Sequence, residues 1–289
     1  MKEKSLSFSQ GKGNLGRNNR NYKTQNADSK RTKDNVVFIK HDLGSAYEFL
    51  FSKALEQYNS RQERSDRIIK QTYFEHLFGD KPSDFVKYSA DKRKSYYEDI
   101  VQIGCMEDSG YATEDYNLVA ECLTEYMKGF QERNPNFYVF NAVLHMDEAT
   151  PHLHIDYIPV GHFKRGLPVQ NSLSRALDEM GYGKGIHTLS RWRAAEIDAL
   201  TKICASHGIH PAEPGKGRGS MSVDEYKEYR KIRDQRIEET EKLKSILTDA
   251  MNILSELQNK TGDILLQTEI SEYRNRVAEL ENELSELRT

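Results

Sequence analysis

The amino-acid sequence predicts an α+β protein with a central antiparallel sheet, flanked by helices and followed by a long helical, coiled-coil segment. Strand-like and helix-like segments alternate irregularly, which is typical of this class and not of repeated strand–helix–strand units. Two strand-like segments near the middle of the chain, residues 137–145 and 153–160, are joined by a short loop and predict an antiparallel hairpin. After residue 220 the sequence changes to a proline-free pattern rich in Glu, Lys, Leu and Ile.

These changes divide the 289 residues into four predicted segments. They are a basic arm over residues 1–34, a globular body over residues 35–213, a Gly-rich linker over residues 214–220 and a helical tail over residues 221–289. No apolar run reaches the roughly 18 residues that a membrane-spanning helix needs. The first residues lack the apolar stretch of a secretory signal, so we expect a cytoplasmic protein. The three cysteines share no metal-binding spacing and predict buried thiols.

Charge is distributed unevenly along the chain. Residues 1–40 hold ten Lys or Arg and three Asp or Glu, a net charge of +7, whereas the whole chain carries −3. A basic, Gly- and Asn-rich arm on an acidic body suggests that the N-terminal end binds a polyanion. A solvated, disordered tail explains the same composition equally well.

Residues 35–103 predict the first elements of the body. NVVFIK at residues 35–40 is a short strand. Residues 45–62 place apolar side chains on one helical face, and residues 66–78 form a second helix that ends at Gly79. YYEDIVQI at residues 96–103 predicts another strand, since it is rich in aromatic and β-branched residues and is closed by Gly104.

Helices on both sides of the hairpin complete the predicted body. A helix over residues 114–131 is capped by Thr113 and stopped by the Asn134-Pro135 pair. Beyond the hairpin, two more helices are predicted over residues 172–180 and 189–206.

The tail carries apolar residues at coiled-coil spacing. The two runs are Ile246, Ala250, Ile253 and Leu257, and then Ile270, Tyr273, Val277, Leu280, Leu284 and Leu287. This pattern favours pairing with a partner helix, as in a homodimer, over folding back on the body.

Three of the nine histidines fall within ten residues, at His145, His152 and His154. His152 and His154 lie on one face of the second hairpin strand, together with Asp156. His145 closes the first strand, so the hairpin places it opposite His152. Three converging imidazoles suit a divalent metal with an open coordination position, although ordinary core or surface histidines remain the alternative.

Two carboxylates in the intervening loop, Asp147 and Glu148, are placed to orient a ligand or to act as a base. Other enzyme motifs are excluded. The chain has no H-E-x-x-H motif of zinc proteases, no Walker A loop, and no G-x-G-x-x-G after a predicted strand.

The pattern H-x-D-E-x-x-P-H-x-H over residues 145–154 resembles the third motif of the Mob/Pre (MobV) relaxases, which are plasmid mobilisation and recombination proteins of the HUH endonuclease class. GRNNRNYKTQNADSKRTKDNVVF in the arm resembles the first motif of that family, H-N-x-R followed by an aromatic residue. The resemblance spans roughly residues 8–230.

The resemblance implies a five-stranded antiparallel palm with a three-histidine site for manganese or magnesium. Proteins of this family nick one strand of supercoiled plasmid DNA at an origin, stay joined to its 5′ phosphate and later religate it. By position, His145, His152 and His154 would bind the metal and Glu148 would support the nucleophile. Asn18 and Arg20 would hold the scissile region of the DNA.

The first motif departs from the family at one position. Arg17 stands where the relatives carry an attacking histidine, and a guanidinium cannot attack phosphorus because it stays protonated. Tyr22 is the substitute nucleophile that we predict, and a packing or base-stacking role is its alternative. Arg17 would then contact DNA, as would Lys216 and Arg218 unless the glycine-rich segment is a plain linker.

Three functions therefore follow from the sequence. The first is a DNA relaxase, the second is a module that binds an origin without cutting it, and the third is a metal-dependent phosphoesterase that acts on smaller substrates.

Overall fold

The computed structural model describes residues 2–211, 223–261 and 265–288. The chain divides into two compact units, Met1–Glu213 and Pro214–Thr289. The predicted linker, including Lys216 and Arg218, lies outside the described residues.

The first unit is built on an antiparallel sheet, which confirms the predicted fold class. The described strands are β1 (Lys2–Lys4), β2 (Leu6–Gln10), β3 (Val36–Lys40), β4 (Tyr97–Ile103), β5 (Phe137–His145), β6 (His152–His162), β7 (Val169–Asn171) and β8 (Ile209–Pro211). Five strands follow the order β2-β4-β6-β5-β3, and β7 adds to β6 as a sixth. The short strands β1 and β8 form a separate parallel pair.

Helices cover both faces of this sheet. In the first unit they are α1 (Leu15–Asn18), α2 (Leu43–Asn59), α3 (Tyr73–Phe78), α4 (Met106–Ser109), α5 (Tyr116–Lys128), α6 (Phe130–Arg133), α7 (Leu173–Glu179) and α8 (Thr188–Ser206), with 3₁₀ turns at Thr32–Asp34 and Ser65–Arg67. Among the described helices, none has both the length and the apolar content that crossing a membrane requires.

Successive side chains of β6 point to opposite faces of the sheet, and each face contributes to a hydrophobic core. Leu153, Ile155 and Tyr157 point into a large core that contains buried residues of α5 and α8. Ile158 belongs to a second core, which α2 and α3 close from the other side. The central strands are therefore buried on both faces, and the polar side chains among them need partners inside the protein.

The predicted arm is part of the sheet in this structure. Leu6–Gln10 pairs with β4 as an edge strand, and Lys2–Lys4 pairs with β8. Lys4 is buried, with its Nζ 3.1 Å from an Asp115 carboxylate oxygen. Farther along, the Asp28 amide donates to the Asp147 carbonyl at 2.7 Å. The disordered-tail alternative is therefore wrong for the described part of the arm, because these backbone groups pair with the body.

Two predicted helices are shorter or broken. The helix predicted over residues 66–78 is only Tyr73–Phe78, because Thr72 and Glu75 form a capping box that starts it there. The helix predicted over residues 114–131 begins after Asp115, not after Thr113, and is interrupted at Gly129.

The second unit consists of α9 (Val223–Thr261) and α10 (Leu265–Arg288). The two helices pack on each other, and ion pairs join Arg236 to Glu283 at 3.0 Å and Lys244 to Glu281 at 2.6 Å. Apolar residues of α10 such as Leu280 are buried by this packing. The partner helix in the structure is therefore supplied by the same chain.

Candidate metal centre

The β5–β6 hairpin gathers the three predicted histidines. His145 ends β5 and is the register partner of His152, the first residue of β6. His154 follows two residues later on the same face of the strand. The ring centroids lie 4.4 to 5.1 Å apart, and each ring offers a nitrogen within 4.8 Å of the others. The rings are therefore close enough to share one ion.

Each imidazole also has an acceptor on its outer side. His145 Nε2 lies 2.7 Å from the Asn18 carbonyl oxygen, and His152 Nδ1 lies 2.9 Å from the Thr150 carbonyl oxygen. His154 Nδ1 lies 2.6 Å from Glu98 Oε1. Carbonyl oxygens and carboxylates only accept, so these outer nitrogens must carry the protons. In a neutral imidazole the other ring nitrogen keeps its lone pair, so the inner donors are Nδ1 of His145 and Nε2 of His152 and His154.

This arrangement fits a cation. His145 Nδ1 and His152 Nε2 lie 3.3 Å apart, so two lone pairs face each other unless a proton or a cation lies between them. Burial, with the neighbouring imidazoles adding to it, lowers the pKa of His145 to about 2 and that of His152 to about 4. Both rings are then neutral near pH 7, and a divalent metal is what the donor set accommodates.

Asp147 is tied to Arg20 by two parallel hydrogen bonds. Arg20 Nε donates to Asp147 Oδ2 at 2.9 Å and Arg20 Nη2 donates to Oδ1 at 2.7 Å. Thr32 Oγ1 donates to Oδ2 at 3.0 Å. Burial by itself raises the pKa of Asp147, but these hydrogen bonds outweigh it and hold the pKa well below its ordinary value. The carboxylate is therefore an anchor for Arg20 and a weak base.

Glu148 occupies a more open position. Its Oε1 accepts from Arg20 Nη2 at 2.8 Å, and its Oε2 lies 4.0 Å from His152 Nε2. Asp147, Glu148 and His145 also bring ligand atoms within 4.8 Å of one another, so the carboxylates border the same space as the histidines. Glu148 is the half-buried carboxylate next to that space.

The first-motif residues Asn18 and Arg20 face into the protein. Asn18 is buried, and its Nδ2 donates to Glu98 Oε1 at 2.8 Å and to Asp156 Oδ2 at 3.1 Å. Arg20 has a left-handed backbone, with φ 54°, directly after α1, and its guanidinium is engaged by Asp147 and Glu148. These contacts organise the site and leave no exposed surface of Asn18 for DNA. Arg17, by contrast, is exposed.

The Tyr22 hydroxyl is bonded at the opposite end of α1 from the residue whose carbonyl holds His145. This hydroxyl accepts from Asn14 Nδ2 at 2.7 Å, and Asn14 caps the start of α1. Asn18, whose carbonyl holds His145, is at the other end of this helix. About 6 Å of helix separates the two positions. The Tyr22 side chain is half exposed, so its ring is not locked in place by packing.

Sequence reasoning placed Asp156 on the histidine face but missed Glu98, which lies behind the histidines. Glu98 lies on β4, and Asp156 accepts from Asn141 Nδ2 at 2.8 Å as well as from Asn18. Burial and the nearby Glu98 raise the pKa of Asp156 well above its ordinary value. The Glu98-Asp99 pair inside a mostly apolar strand was the available signal, since buried acids need partners.

A G-x-G-x-x-G spacing, Gly11, Gly13 and Gly16, does follow a strand, contrary to the sequence analysis, which predicted no strand there. It comes after β2 and opens α1. The spacing does not make a dinucleotide site, because β2 pairs antiparallel with β4 and α1 has only four residues. The first two glycines permit close packing instead: a Cβ at Gly11 would lie 2.1 Å from Glu98 Oε2, and Gly13 has φ +75°.

A protein-family comparison identifies the central part of the chain. The model of the Mob_Pre family, described as plasmid recombination enzyme, matches residues 53–168, which include the strands β4, β5 and β6 and all three histidines. Residues 53–168 are therefore similar to the Mob/Pre family. The resemblance predicted from residues 145–154 is thereby confirmed, whereas the arm lies outside the matched range.

Solved structures of a Mob/Pre relaxase domain are similar to this chain. Two are Mn-bound crystal structures of the MobM relaxase domain (MOBV; Mob_Pre) bound to 22-nucleotide plasmid pMV158 oriT DNA, at pH 5.5 and pH 4.6. Each is 16% identical and covers 78% of this chain and 99% of that chain, with TM-scores of 0.43 and 0.44. No curated protein sequence matches the chain.

Proposed function

We propose that this protein is a metal-dependent DNA relaxase of plasmid mobilisation or recombination. It would nick one strand at an origin, form a covalent adduct with the 5′ phosphate and religate the strand. The observation that carries the proposal is the set of inner lone pairs on His145, His152 and His154, each fixed by an acceptor on the opposite ring nitrogen. The Mob/Pre match over the same hairpin supports DNA as the substrate class.

His145 Nδ1, His152 Nε2 and His154 Nε2 are the atoms that would hold the metal. A divalent ion bound there supplies positive charge for the oxygens of a phosphodiester. Manganese or magnesium is the metal that we propose on the family resemblance, although three imidazoles suit zinc, iron or nickel by chemistry alone.

Glu148 is the group that we assign to proton transfer. Its carboxylate lies beside His152 and is partly accessible, whereas Asp147 is occupied by Arg20 and Thr32. Arg20 bridges both carboxylates and so fixes the direction of Glu148. In this assignment Asp147 and Arg20 position the base, and Glu148 takes the proton of the attacking hydroxyl.

Tyr22 is the nucleophile that we propose in place of the missing histidine. Its phenolic oxygen would bond to phosphorus, and its proton would pass to Glu148. The bond from phosphorus to the 3′ oxygen of the neighbouring nucleotide would break, and that oxygen would keep the electron pair and take up a proton from water to become the 3′ hydroxyl. The reaction requires the hydroxyl to leave Asn14, which the half-exposed side chain permits. Exposed Arg17 would contact the DNA backbone, and Lys216 and Arg218 are proposed as further phosphate contacts.

An origin-binding module without nicking activity is the second candidate. Two observations favour it, the arginine at position 17 and the hydrogen bond that holds the Tyr22 hydroxyl at the far end of α1. Such a module would use the same arm and sheet to bind DNA but would leave the plasmid intact.

The deciding experiment uses a supercoiled plasmid that carries the cognate origin, with Mn²⁺ or Mg²⁺. A relaxase converts the plasmid to the open-circular form and leaves a protease-sensitive adduct, whose peptide identifies the nucleophile. His152→Ala should abolish nicking. His162→Ala is the matched control, since His162 ends the same strand and is bonded to Glu179.

Two further outcomes separate the candidates. Nicking by Tyr22→Phe at the wild-type rate would exclude Tyr22 and leave the relaxase in place. Retardation of the plasmid without any nicking, with either metal, would establish the binding module instead.

The helical tail is proposed as a dimerisation element. Although α9 packs on α10, the α9 residues Ile246, Ile253 and Leu257 remain exposed, at 64%, 60% and 45%. A second copy would cover this stripe. Sedimentation should show a dimer, which Ile246→Glu combined with Ile253→Glu converts to a monomer; a wild-type monomer at high concentration would contradict the proposal.

A further inference from the structure

Tyr111 lies beside the loop that carries the two carboxylates. Its backbone amide donates to the Ala149 carbonyl at 3.1 Å, one residue from Glu148. The preceding Gly110 makes this approach possible, because a Cβ there would lie 2.1 Å from the Met106 carbonyl oxygen and 3.2 Å from that of Ala149. The backbone position of Tyr111 is therefore fixed at the rim of the candidate metal centre.

The Tyr111 ring is held from two sides but remains open. The Arg31 guanidinium carbon lies 4.0 Å from the ring centroid, and the Tyr116 ring stands perpendicular to it at 5.6 Å. Both neighbours are anchored to the same loop, since Arg31 Nη1 donates to the Met146 carbonyl at 2.9 Å and the Tyr116 hydroxyl donates to that carbonyl too. Even so, 60% of Tyr111 is exposed.

Exposed tyrosines are ordinary on protein surfaces, but the Tyr111 ring is also held in one orientation. The intrinsic cost of exposing a tyrosine is small, but here an arginine, a second tyrosine and a glycine are all used to fix its orientation. Lys30 and Lys33, which flank Arg31, are exposed as well. An oriented ring beside exposed cations matches the combination that binds single-stranded nucleic acid.

We propose that Tyr111 is a stacking platform for a base of single-stranded DNA next to the reacting phosphate. The base stacks on the exposed part of the Tyr111 ring. The Arg31 guanidinium contacts the same ring and attracts the phosphate backbone of the DNA. Stacking of this kind tolerates any base, since every base has a π face. The inference rests on the proposed function, because it takes single-stranded DNA as the ligand.

The test measures binding of the full chain to two fluorescein-labelled probes of twenty units, by fluorescence anisotropy in EDTA. One probe is oligothymidylate, and the other carries abasic tetrahydrofuran units on the same phosphodiester backbone. The variants are Tyr111→Ala and Tyr111→Phe. Tyr88→Ala is the matched control, because Tyr88 is 61% exposed and precedes β4, whose other end lies beside His152.

Tyr111→Ala should weaken binding of oligothymidylate by about 5- to 150-fold. Tyr111→Phe and Tyr88→Ala should remain within about twofold of wild type, because the first keeps the ring and the second lies outside the site. On the abasic probe, Tyr111→Ala and wild type should bind equally. Tyr111→Leu replaces Tyr111→Ala in the comparison if the alanine variant does not fold.

Three results would overturn the platform. The first is equal affinity of wild type and Tyr111→Ala for oligothymidylate, and the second is an equal loss on both probes, which would indicate electrostatics or folding. Either of these leaves the relaxase proposal intact. The third is a wild-type protein that binds neither probe, and this result overturns the platform, whereas the nicking assay on the origin plasmid decides the proposed function.

Discussion

The two faces of the β5–β6 hairpin are both buried, but they are stabilised in different ways. On one face Leu153, Ile155 and Tyr157 join the large core, where removal of apolar surface from water is sufficient. On the other face His152, His154 and Asp156 each need a hydrogen-bond partner, which is Thr150, Glu98 and Asn141, respectively. The polar face is thus specified by partners, whereas the apolar face is specified by volume and shape.

This difference shows how side chains that could bind a metal can be accommodated inside a small sheet. A buried polar group without a partner destabilises the fold, so the protein surrounds the three imidazoles with Asn18, Glu98 and Thr150. Those same partners fix which ring nitrogen keeps its lone pair. The same hydrogen bonds therefore stabilise the buried polar groups and leave the inner ring nitrogens able to bind a cation.

The largest expected effect is on the polar face. His154→Ala should reduce Mn²⁺ affinity by more than the roughly 10- to 100-fold loss that removal of an outer hydrogen-bond partner causes. The reason is that it deletes one of three inner donors. Calorimetric titration with Mn²⁺ measures the loss. Unchanged Mn²⁺ affinity in a folded His154→Ala protein would contradict the metal centre.

A substitution on the apolar face should lower the stability of the protein without changing its affinity for Mn²⁺. Ile155→Ala should lower the free energy of unfolding by about 2 to 5 kcal/mol, since it opens a cavity in a fully buried core. Urea denaturation measures this loss, and titration of the folded variant should give wild-type Mn²⁺ affinity. A large fall in that affinity would show that the two faces are not independent.

A carboxylate pair on β4 sharpens the comparison, because Glu98 faces the histidines and Asp99 faces the apolar core. Glu98→Gln should reduce Mn²⁺ affinity by about 10- to 100-fold, since it weakens the hydrogen bond that orients His154. Asp99→Asn is the control. Asp99 accepts from the Tyr157 hydroxyl at 2.8 Å, and burial raises its pKa to about 6.

The two carboxylate variants are compared by the same titration with Mn²⁺. An equal loss of affinity in Glu98→Gln and Asp99→Asn would mean that any buried charge on β4 influences the site. A loss in Glu98→Gln alone supports an orienting role for Glu98.

The smallest expected effect is the pH response of a surface histidine. A hydrogen bond from His207 Nε2 to Glu125, at 2.8 Å, raises the pKa of His207. A raised pKa means that the stabilisation is complete below the unfolded value, about 6.5, and is lost as pH rises through the folded value. Because Glu125 is 53% exposed, solvent screening limits the effect to a few tenths of a kcal/mol, about the median of surface pairs.

Urea unfolding of wild type and His207→Gln checks this prediction at about pH 5.5 and about pH 8.5, on either side of the unfolded pKa. The stability difference between the two proteins should be larger at the lower pH. A difference that does not change with pH would show that the His207–Glu125 pair does not titrate with folding.

Much of the hairpin could be predicted from local sequence. The strand predicted over residues 137–145 has its observed bounds, Phe137–His145. The short loop with Pro151 then placed His145 opposite His152. Helix boundaries were less predictable, because the start of Tyr73–Phe78 depends on a capping box whose two side chains must adopt one geometry.

The sequence by itself determined the fold class, the hairpin and the family resemblance, because each depends on residues that are close together in the chain. Only the tertiary structure decided what surrounds the histidines. Asn18 and Glu98 are separated from His145 and His154 by 127 and 56 positions, and no periodic pattern links them. The physical reason is that a buried hydrogen bond depends on the positions of two backbones in space, which the packing of β2, β4 and α1 against the hairpin establishes.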